Sequence, residues 1–584
     1  MLYCGLRQDS RSSDDGGLQA LPFSPFVMNR LSLLCMALAL SPVLSSAGEV
    51  VPGRSVIATR GGIVASSQPL AAAAAVRVLE AGGNAMDAAI TANACVGVME
   101  PTSNGIGGDM FVLVYEAKSG RIHGLNASGW SPAGLTPEVL AAKGLTRMPE
   151  KGIHAVTVPG VVAGWAALNE RFGAKPLGEL LQPAIRAAEE GFPVMEITAH
   201  HWKGSEKWLA DLPEAAKTWL VNGQAPAAGE VFKNPALAAS LRRIAEQGRA
   251  GFYEGETAAA VLAVSQSEGG TMTAADLSEF RAEWVDPISI DYRGWRVTEI
   301  PPNTQGIAAL SMLAIMENFP MRGYGLHSPD ALHVAIEAKK LAYADMLAFV
   351  GDPRTGSVPV QAMLDKKHAA ERARLIHPMQ AMPKAEPSVF PGLTDSKGHD
   401  TIYLCTADRD GNVVSLIQSN YMGFGSGVVP AGCGFMLHNR GALFILDPGK
   451  PNTLAPRKRP LHTIIPGMMS RGGTVIGFGI MGGWNQAQAH AQFVSNIADF
   501  DLSIQQALEA ARFTKPTFEG RDVILEAGIP ETSRAALDAR GHQTTAAPLR
   551  TSTFGYGQAV MTTSAGVRFG ASDPRHDGAA IPQP

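Results

Sequence analysis

The segment GHDTIYLCTADRDGNVVSLIQSNY, residues 398–421, constrains the fold more than any other part of this sequence. Two short apolar runs flank an Asp-Arg-Asp-Gly-Asn turn, which is the pattern of a β-hairpin. Side chains along the first run alternate between the two faces of a strand, and both faces are largely uncharged. Such a strand is covered by protein on both sides. We therefore predict a central strand that begins abruptly at Thr401.

The segment that follows Gly61 predicts two buried helices. Pro69 suits the first turn of the first helix, and Gly82-Gly83 suits its end. Asn84 can cap a second helix that runs to about Glu100. Both segments are apolar on most sides, so we expect an interior helical layer.

Other elements follow the same kinds of pattern. Further helices are predicted at 161–172, 177–190, 235–247, 329–350 and 502–512, and further strands at 110–117, 121–126, 288–300 and 474–480. Helices and hairpins are mixed without the strict alternation of a doubly wound parallel sheet, which indicates the α+β class. A segment rich in proline and glycine, from about Ala370 to His399, is predicted to be a linker or a processing segment.

Charge and length limit the classes of partner. The chain has 584 residues, of which 17% are charged, with a formal net charge of -4 and no sustained basic run. This composition argues against nucleic acid and anionic membranes as partners. The length alone would allow about four domains of roughly 150 residues each.

The start of the chain resembles a secretory signal peptide. Met28-Asn29-Arg30 precedes an apolar stretch from Leu31 to Leu44, and the small residues Ser45-Ser46-Ala47 follow. The apolar stretch is shorter than the roughly 20 residues that a membrane span needs. We predict an N-terminal extension and signal peptide over 1–47, with Met28–Ala47 as the signal peptide, and a periplasmic or secreted protein without a stable membrane anchor. Translation can start at Met1 or at Met28.

Several common chemistries find no support in the sequence. There is no G-x-S-x-G elbow, no phosphate-binding loop and no H-E-x-x-H motif. GIGGDM at 105–110 precedes a strand, which is the wrong order for a dinucleotide fingerprint. The cysteines are far apart and His200-His201 and His490 are isolated, so no metal site is predicted and the cysteines are expected to be small buried hydrophobic residues.

The Asp400-Thr401 step is a candidate cleavage site. An internal threonine hydroxyl is a poor nucleophile, but a threonine at a new chain terminus carries an α-amine with a pKa of roughly 7.7 to 8.0. That amine can act as the base for its own hydroxyl. A cut before Thr401 would create such a terminus.

Eight segments occur in one order along the chain: AGGNAMDAA (81–89), PTSNGIGGDMFVLVY (101–115), VPGVVAGW (158–165), PPNTQG (301–306), TADRDGNVVSL (406–416), KRPLHTIIP (458–466), MGGWNQ (481–486) and ASDPR (571–575). In these segments, and from about Gly53 to its end, the chain resembles the γ-glutamyltransferase family of N-terminal-nucleophile hydrolases. The resemblance implies a four-layer αββα sandwich that forms one integrated catalytic domain. It also implies self-cleavage of a precursor into a large subunit, 48–400, and a small subunit, 401–584.

The resemblance also implies roles for single residues. Thr401 matches the family's nucleophile, and Gly482 and Gly483 match the glycine pair whose N–H groups form the oxyanion hole. Ser419 stands where the family has a threonine that hydrogen-bonds the nucleophile, and Asn439 matches an asparagine that holds substrate. No metal or organic cofactor is implied, and the partner is a small-molecule amide.

The substrate pocket departs from the family pattern. Ser128 replaces the arginine that binds the α-carboxylate, and Leu443 replaces the aspartate that faces the α-amine. An unpaired ammonium in a pocket is costly, so both changes argue against a γ-glutamyl group.

Four further positions change as well: Tyr421 replaces an asparagine, Arg440 a glutamine, and His462-Thr463 a pair of serines. Arg440 or His462 could then meet a substrate carboxylate, unless Arg440 is a solvated surface charge. We predict an amide hydrolase or acyltransferase that cleaves γ-glutamyl-type amides. The alternatives are an amidohydrolase of dicarboxylic monoamides that lack the α-amine, such as oxamate or glutaryl amides, and an uncut, non-catalytic binding module.

Overall fold

Two seven-stranded antiparallel sheets form the centre of the protein in a computed structural model that describes residues 53–388 and 401–584. The predicted signal peptide and Asp400 lie outside the described residues. The strands are β1 (Ile57–Thr59), β2 (Ile63–Ser66), β3 (Asp109–Glu116), β4 (Arg121–Ala127), β5 (Phe192–Pro193), β6 (Val231–Phe232), β7 (Glu283–Val285), β8 (Ile288–Tyr292), β9 (Trp295–Glu299), β10 (Ile402–Ala407), β11 (Val413–Ser419), β12 (Gly467–Arg471), β13 (Thr474–Ile480), β14 (Phe513–Thr514), β15 (Asp522–Glu526), β16 (Gln543–Ala547), β17 (Gly557–Thr562), β18 (Arg568–Ser572) and β19 (Ala579–Pro582).

The two large sheets pack face to face. One has the strand order β1-β18-β17-β13-β12-β9-β8 and the other β19-β2-β10-β11-β3-β4-β7. A Cβ on Gly479 would lie 2.4 Å from the Tyr403 ring, so the glycine permits close approach of the sheets. The Tyr403 hydroxyl is bonded to Ser415 Oγ (2.7 Å), and Ser415 Oγ donates to the Phe478 carbonyl (3.3 Å) across the interface. Strands from both sides of residue 401 share each sheet.

Helices cover the outer faces of both sheets. Pro69–Glu80 and Ala85–Met99 pack on the sheet that contains β10, and Gly306–Met316 and Gln486–Ala498 pack on the other. The predicted four-layer αββα sandwich of the α+β class is therefore confirmed. The other α-helices are Pro137–Ala141, Val161–Phe172, Leu177–Leu180, Gln182–Glu190, Glu196–Ala210, Pro213–Trp219, Pro235–Gln247, Ala250–Tyr253, Gly255–Ser267, Ala274–Ser278, Met321–Tyr324, Pro329–Phe349, Val360–Met363, Lys366–Ala373, Ile504–Glu509 and Glu531–Ala539, and the 3₁₀ turns are Ile153–Ala155, Arg440–Leu443, Gly483–Asn485 and Ser552–Phe554.

Two predicted helices differ from the structure in their bounds. The helix predicted at 177–190 is divided at Leu181, because Pro183 has no N–H to continue the hydrogen-bond ladder. The helix predicted at 502–512 ends at Glu509. After Glu509 the backbone becomes extended. The Leu508 carbonyl accepts a hydrogen bond from the Arg512 guanidinium (2.6 Å) instead of from a backbone N–H.

The three cysteines of the described residues lie in the protein interior. Cys95, Cys405 and Cys433 are free thiols, and all three are buried, as expected of small hydrophobic residues. Within residues 53–388 and 401–584, the helices are too short or too polar to cross a bilayer.

The predicted hairpin is the β10–β11 pair. Strand β10 is buried along its whole length and lies between β2 and β11, which confirms its central place. In the turn, Asp408 Oδ1 accepts hydrogen bonds from the N–H groups of Asp410 and Asn412 (both 3.0 Å). Asp408 Oδ2 accepts from the N–H of Ala85 (3.0 Å), which ties the turn to the start of a buried helix.

We expect Asp408→Ala to lower the free energy of unfolding by about 2–3 kcal/mol, because it leaves the buried N–H of Ala85 and two partly buried N–H groups of the turn without their acceptor. The measurement is the midpoint of urea-induced unfolding, with an unchanged dependence on urea concentration. Asp410→Ala, which removes an exposed carboxylate from the same turn, is the control and should leave the midpoint in place. An equal effect of both substitutions would contradict this account of the turn.

Candidate active site

Thr401 lies at the start of β10, inside the sandwich. Its side chain is 1% exposed. Gln486 Nε2 donates a hydrogen bond to Thr401 Oγ1 (3.0 Å). Gln486 is the first residue of the helix Gln486–Ala498 and is itself buried. Thr401, the predicted nucleophile, therefore contacts the start of the helix that follows strand β13 of the other sheet.

That loop contains the predicted glycine pair. Gly482 and Gly483 follow β13 and precede Gln486, and they have φ angles of +124° and +60°. Side chains rarely adopt such values, which accounts for two glycines here. Gln305 Nε2 donates a hydrogen bond to the Gly483 carbonyl (2.8 Å), which holds the loop in place.

Ser419 ends β11, directly beside the start of β10. The β10–β11 register pairs Ile402 with Gln418, which places Ser419 opposite Thr401. Ser419 Oγ accepts a hydrogen bond from the N–H of Tyr421 (2.7 Å). Tyr421 has a φ of +80°, a strained value for a side chain of this size, and the serine hydroxyl helps to hold it there.

Arg440 lies in the interior against two other predicted pocket residues. It is 0% exposed, which excludes a solvated surface charge. Its Nη1 donates to Thr463 Oγ1 (2.6 Å), and its guanidinium carbon lies 4.7 Å from the centre of the Tyr421 ring. The hydroxyl and the aromatic ring both stabilise the buried cation.

Asn439 connects two loops with its side-chain amide. Its Oδ1 accepts from the N–H of Met422 (3.1 Å), and its Nδ2 donates to the Glu150 carbonyl (2.7 Å). These contacts give the residue a structural role, and its predicted contact with substrate stays a prediction.

His462 belongs to a buried cluster of ionisable groups. Its Nε2 lies 3.0 Å from Asp109 Oδ2, and His438 Nδ1 lies 3.6 Å from the same oxygen. Burial raises the pKa of Asp109 to about 7, although the nearby Arg440 opposes the shift. Burial also lowers the pKa of His438 to about 3 and that of His462 well below its usual range. Burial therefore favours the neutral form of His462.

Ser128 and Leu443, where the resemblance implied charged residues, are both engaged inside the protein. The Ser128 hydroxyl donates to Asn126 Oδ1 (2.7 Å), and Leu443 is completely buried. Arg459 Nε donates to the Ser128 carbonyl (2.9 Å), but this guanidinium is paired through Nη1 with Glu283 (2.7 Å). Its charge is already matched by a carboxylate.

Two cavities are each lined in part by residues predicted for the site. One, of about 650 Å³, is bordered by Gly482, Trp484 and the histidines His200-His201. The other, of about 630 Å³, is bordered by Tyr421, Met422 and Phe444. The isolated histidine pair of the sequence thus lines the first cavity.

One group of described residues has the composition of a metal site. His333, Glu337 and His542 are buried and bring potential ligand atoms within 4.8 Å of one another. Lys340 Nζ already lies 2.7 Å from Glu337 Oε1, and His333 Nδ1 is hydrogen-bonded to His542 Nε2 (2.8 Å). A metal ion would have to displace the lysine ammonium, so these residues do not fit a cation site. His490, the other isolated histidine, pairs with Glu299 (2.8 Å).

An αββα sandwich with a threonine at the start of a buried central strand defines an N-terminal-nucleophile hydrolase, and structural neighbours of this chain share that fold. The family model described as Gamma-glutamyltranspeptidase matches residues 71–583. The chain therefore belongs to the gamma-glutamyltranspeptidase family, whose members are amide hydrolases and acyltransferases.

Three relatives illustrate the range of the family. The glutathione hydrolase-like YwrD proenzyme of Bacillus subtilis (strain 168) is 36% identical over 533 residues, which cover 90% of this chain and 99% of that protein. The oxamate amidohydrolase proenzyme of Klebsiella pneumoniae is 33% identical over 531 residues, which cover 89% of this chain and 98% of that protein. The crystal structure of a cephalosporin acylase from Bacillus halodurans has a TM-score of 0.85 and 44% identity, and the match covers 90% of this chain and 97% of that one.

The sequence patterns did not single out three residues that the structure places near the predicted site residues. Gln486 lies within MGGWNQ and Asp109 within GIGGDM, two segments that attract attention for their glycines, while His438 directly precedes Asn439. The available signal was a polar side chain set within an otherwise apolar or glycine-rich segment. Such a residue is buried only with a partner, and here each has one.

The raised pKa of Asp109 predicts a pH dependence of stability. The folded protein holds this proton more tightly than the unfolded chain, so its stabilising contribution is complete below pH about 4 and is lost as the pH rises through about 7. Asp109→Asn stays neutral, so its thermal midpoint should fall less than that of the wild type between about pH 5 and about pH 8. Asp291→Asn, on an exposed carboxylate, should follow the wild type, and equal slopes for all three proteins would contradict the buried proton.

Proposed function

We propose that this chain is a precursor that cuts itself before Thr401 and then acts as an amide hydrolase through that residue. The observation that carries the proposal is the buried Thr401 at the head of β10, with Ser419 opposite it and the glycine loop in contact through Gln486. In the cut, Thr401 Oγ1 attacks the carbonyl of the preceding peptide bond. The ester that forms is hydrolysed by water, which leaves a large subunit, 48–400, and a small subunit, 401–584.

The same atoms then serve turnover. The new α-amine of Thr401 takes the hydroxyl proton while Oγ1 attacks the substrate amide. The N–H groups of Gly482 and Gly483 stabilise the oxyanion, and the proton passes to the departing amine. Water or an acceptor amine then attacks the acyl-enzyme and restores the hydroxyl. Every step uses groups of the protein, substrate and water, so the proposal requires no cofactor.

The first substrate class that we propose is γ-glutamyl-type amides. Membership of the family supports it, as does a B. subtilis relative described as glutathione hydrolase-like, with which the chain shares 36% identity. The site keeps the nucleophile, a hydroxyl at 419 and the glycine pair that this reaction uses. Ser419 would support Thr401 during self-cleavage, and Asn439 would hold the substrate.

A second class, amides of dicarboxylic acids that lack the α-amine, is favoured by the charges of the pocket. Arg440 is a buried cation beside Tyr421 and Thr463, suited to a substrate carboxylate. Leu443 offers nothing to an ammonium, and the buried Asp109 is already bonded to the N–H of Gly129 (2.9 Å) and to His462. The relative described as an oxamate amidohydrolase fits this second class.

We further propose that the protein is exported. The support is the pattern of Met28–Ala47, a basic residue, an apolar stretch and small residues before Gly48. Removal of this segment would leave a periplasmic or secreted enzyme.

Thr401→Ala tests the nucleophile. The variant should run as a single chain on a denaturing gel, whereas the wild type yields two, because no other hydroxyl occupies the position before which the chain is cut. Intact mass reports signal removal in the same sample, and N-terminal sequencing of the small subunit should read Thr-Ile-Tyr-Leu. Two normal chains from the variant would refute the proposal, and an uncut wild type would favour a binding module.

A matched pair of substrates tests the pocket. Glutaryl and γ-glutamyl p-nitroanilide differ only by the α-amine, so their kcat/KM ratio reports how the site treats the ammonium. The first class predicts the higher kcat/KM for the γ-glutamyl compound. The second class predicts a preference of at least about tenfold for the glutaryl compound, because the ammonium would be left without a carboxylate. A preference for the γ-glutamyl compound would therefore support γ-glutamyl-type amides as the substrates. Thr401→Ala is the control and should hydrolyse neither compound.

A further inference from the structure

Gln486 holds the hydroxyl oxygen of Thr401 in a dry environment. Its Nε2 lies 3.0 Å from Thr401 Oγ1, and the two residues are 0% and 1% exposed. A hydrogen bond in such surroundings is electrostatically stronger than one in water. The contact is therefore able to affect the reactivity of the oxygen as well as its position.

The direction of this hydrogen bond is set by a second contact. Gln486 Oε1 accepts from the N–H of Ile465 (3.0 Å). A backbone N–H can only donate, so the carbonyl end of the amide must face Ile465. The NH₂ end then faces Thr401, and the threonine oxygen is the acceptor.

The position of Gln486 is fixed by its helix and by the hydrogen-bonded loop before it. It is the first residue of the buried helix Gln486–Ala498 and follows the glycine loop without a break. Tyr343 donates to the Trp484 carbonyl, and Gln305 donates to the Gly483 carbonyl (2.8 Å), so the loop is fixed from the helical layer. The donor and the glycine N–H groups are thereby placed by one short segment.

We propose that Gln486 is a further catalytic residue, one that donates a hydrogen bond to Thr401 Oγ1 in both self-cleavage and turnover. This inference rests on the proposed role of Thr401 as nucleophile. With one lone pair of Oγ1 engaged by Gln486, the hydroxyl proton must point elsewhere, towards the base that removes it. The same N–H stabilises the negative charge that gathers on Oγ1 whenever its bond to the acyl carbon is only partly formed.

The chemistry balances at each stage. In self-cleavage the bond from Oγ1 to the carbonyl carbon forms, the C–N bond before Thr401 breaks, and the hydroxyl proton ends on the released amine. Water then hydrolyses the ester, which leaves a carboxylate on the preceding residue and returns a proton to Oγ1. In turnover the acyl group comes from the substrate amide, and Oγ1 is again first the nucleophile and then the leaving group.

Two substitutions at Gln486 separate donation from mere support. Gln486→Glu keeps an oxygen that accepts from Ile465 but loses the donor to Thr401, whereas Gln486→Met loses both. Gln492→Glu is the matched control, since Gln492 Oε1 accepts from the N–H of Phe513 (3.0 Å) and its Nε2 donates to the Phe513 carbonyl (3.1 Å). The control residue is on the same helix but outside the site.

The readouts are the half-life of the precursor on a denaturing gel and steady-state kinetics of the cut enzyme on glutaryl p-nitroanilide. Both Gln486 variants should slow self-cleavage and lower kcat by about tenfold to a hundredfold. KM should stay within about twofold, because the donor contacts the nucleophile and not the bound acyl group. Gln492→Glu should cut and turn over within about twofold of the wild type.

Two results would overturn the inference. Wild-type rates in both Gln486 variants would show that the hydrogen bond is dispensable. A slow Gln486→Met with a normal Gln486→Glu would show that the residue only supports Ile465. Circular dichroism establishes that each variant is folded, and if Gln486→Met is not, Gln486→Glu decides alone. Thr401→Ala is run in parallel: a normally cut Thr401→Ala defeats the proposed function itself, whereas an uncut Thr401→Ala beside normal Gln486 variants defeats only this inference.

Discussion

The pairing of β10 between β2 and β11 is the constraint on which the rest of the structure depends. A strand in this position can tolerate almost no polar side chain without a partner, because both of its faces are covered by protein. Thr401 stands at the point where the strand begins, so its hydroxyl enters a dry interior and must be hydrogen-bonded there. Gln486 supplies that bond from the start of the helix that follows strand β13 of the other sheet. The two sheets thus meet at the candidate nucleophile.

The glycine loop shows how the same geometry serves chemistry. Gly482 and Gly483 have left-handed φ angles, and neither carries a Cβ that would hinder close approach to the backbone. Backbone N–H donors are effective because the fold fixes them before any charge develops on a substrate oxygen. The loop continues directly into the helix that begins at Gln486, and this continuity links the proposed oxyanion site to the proposed nucleophile.

One buried cation dominates the electrostatics around the predicted pocket residues. Arg440 is fully buried, and the surrounding groups either are neutral, as His462 is, or hold their proton up to about neutral pH, as Asp109 does. Burial favours the neutral form of each ionisable group, but a guanidinium cannot give up its proton, so it becomes the dominant charge of the cluster. A substrate anion is the natural complement of such a site, whereas a substrate ammonium is not.

The sequence by itself determined the α+β class and the central hairpin, because apolar periodicity and turn residues are local properties of the chain. The helices Val161–Phe172 and Pro235–Gln247 match their predicted bounds for this reason. The ordered motifs of the sequence carried the resemblance that implied the family and, with it, the sandwich. The tertiary structure alone decided which polar residues meet: Gln486 with Thr401, and Asp109 with His462, across 85 and 353 residues of chain. It also decided that Arg440 is buried and that His462 is neutral. Burial and pKa depend on groups that are distant in sequence and adjacent only after folding, so no local pattern could supply them.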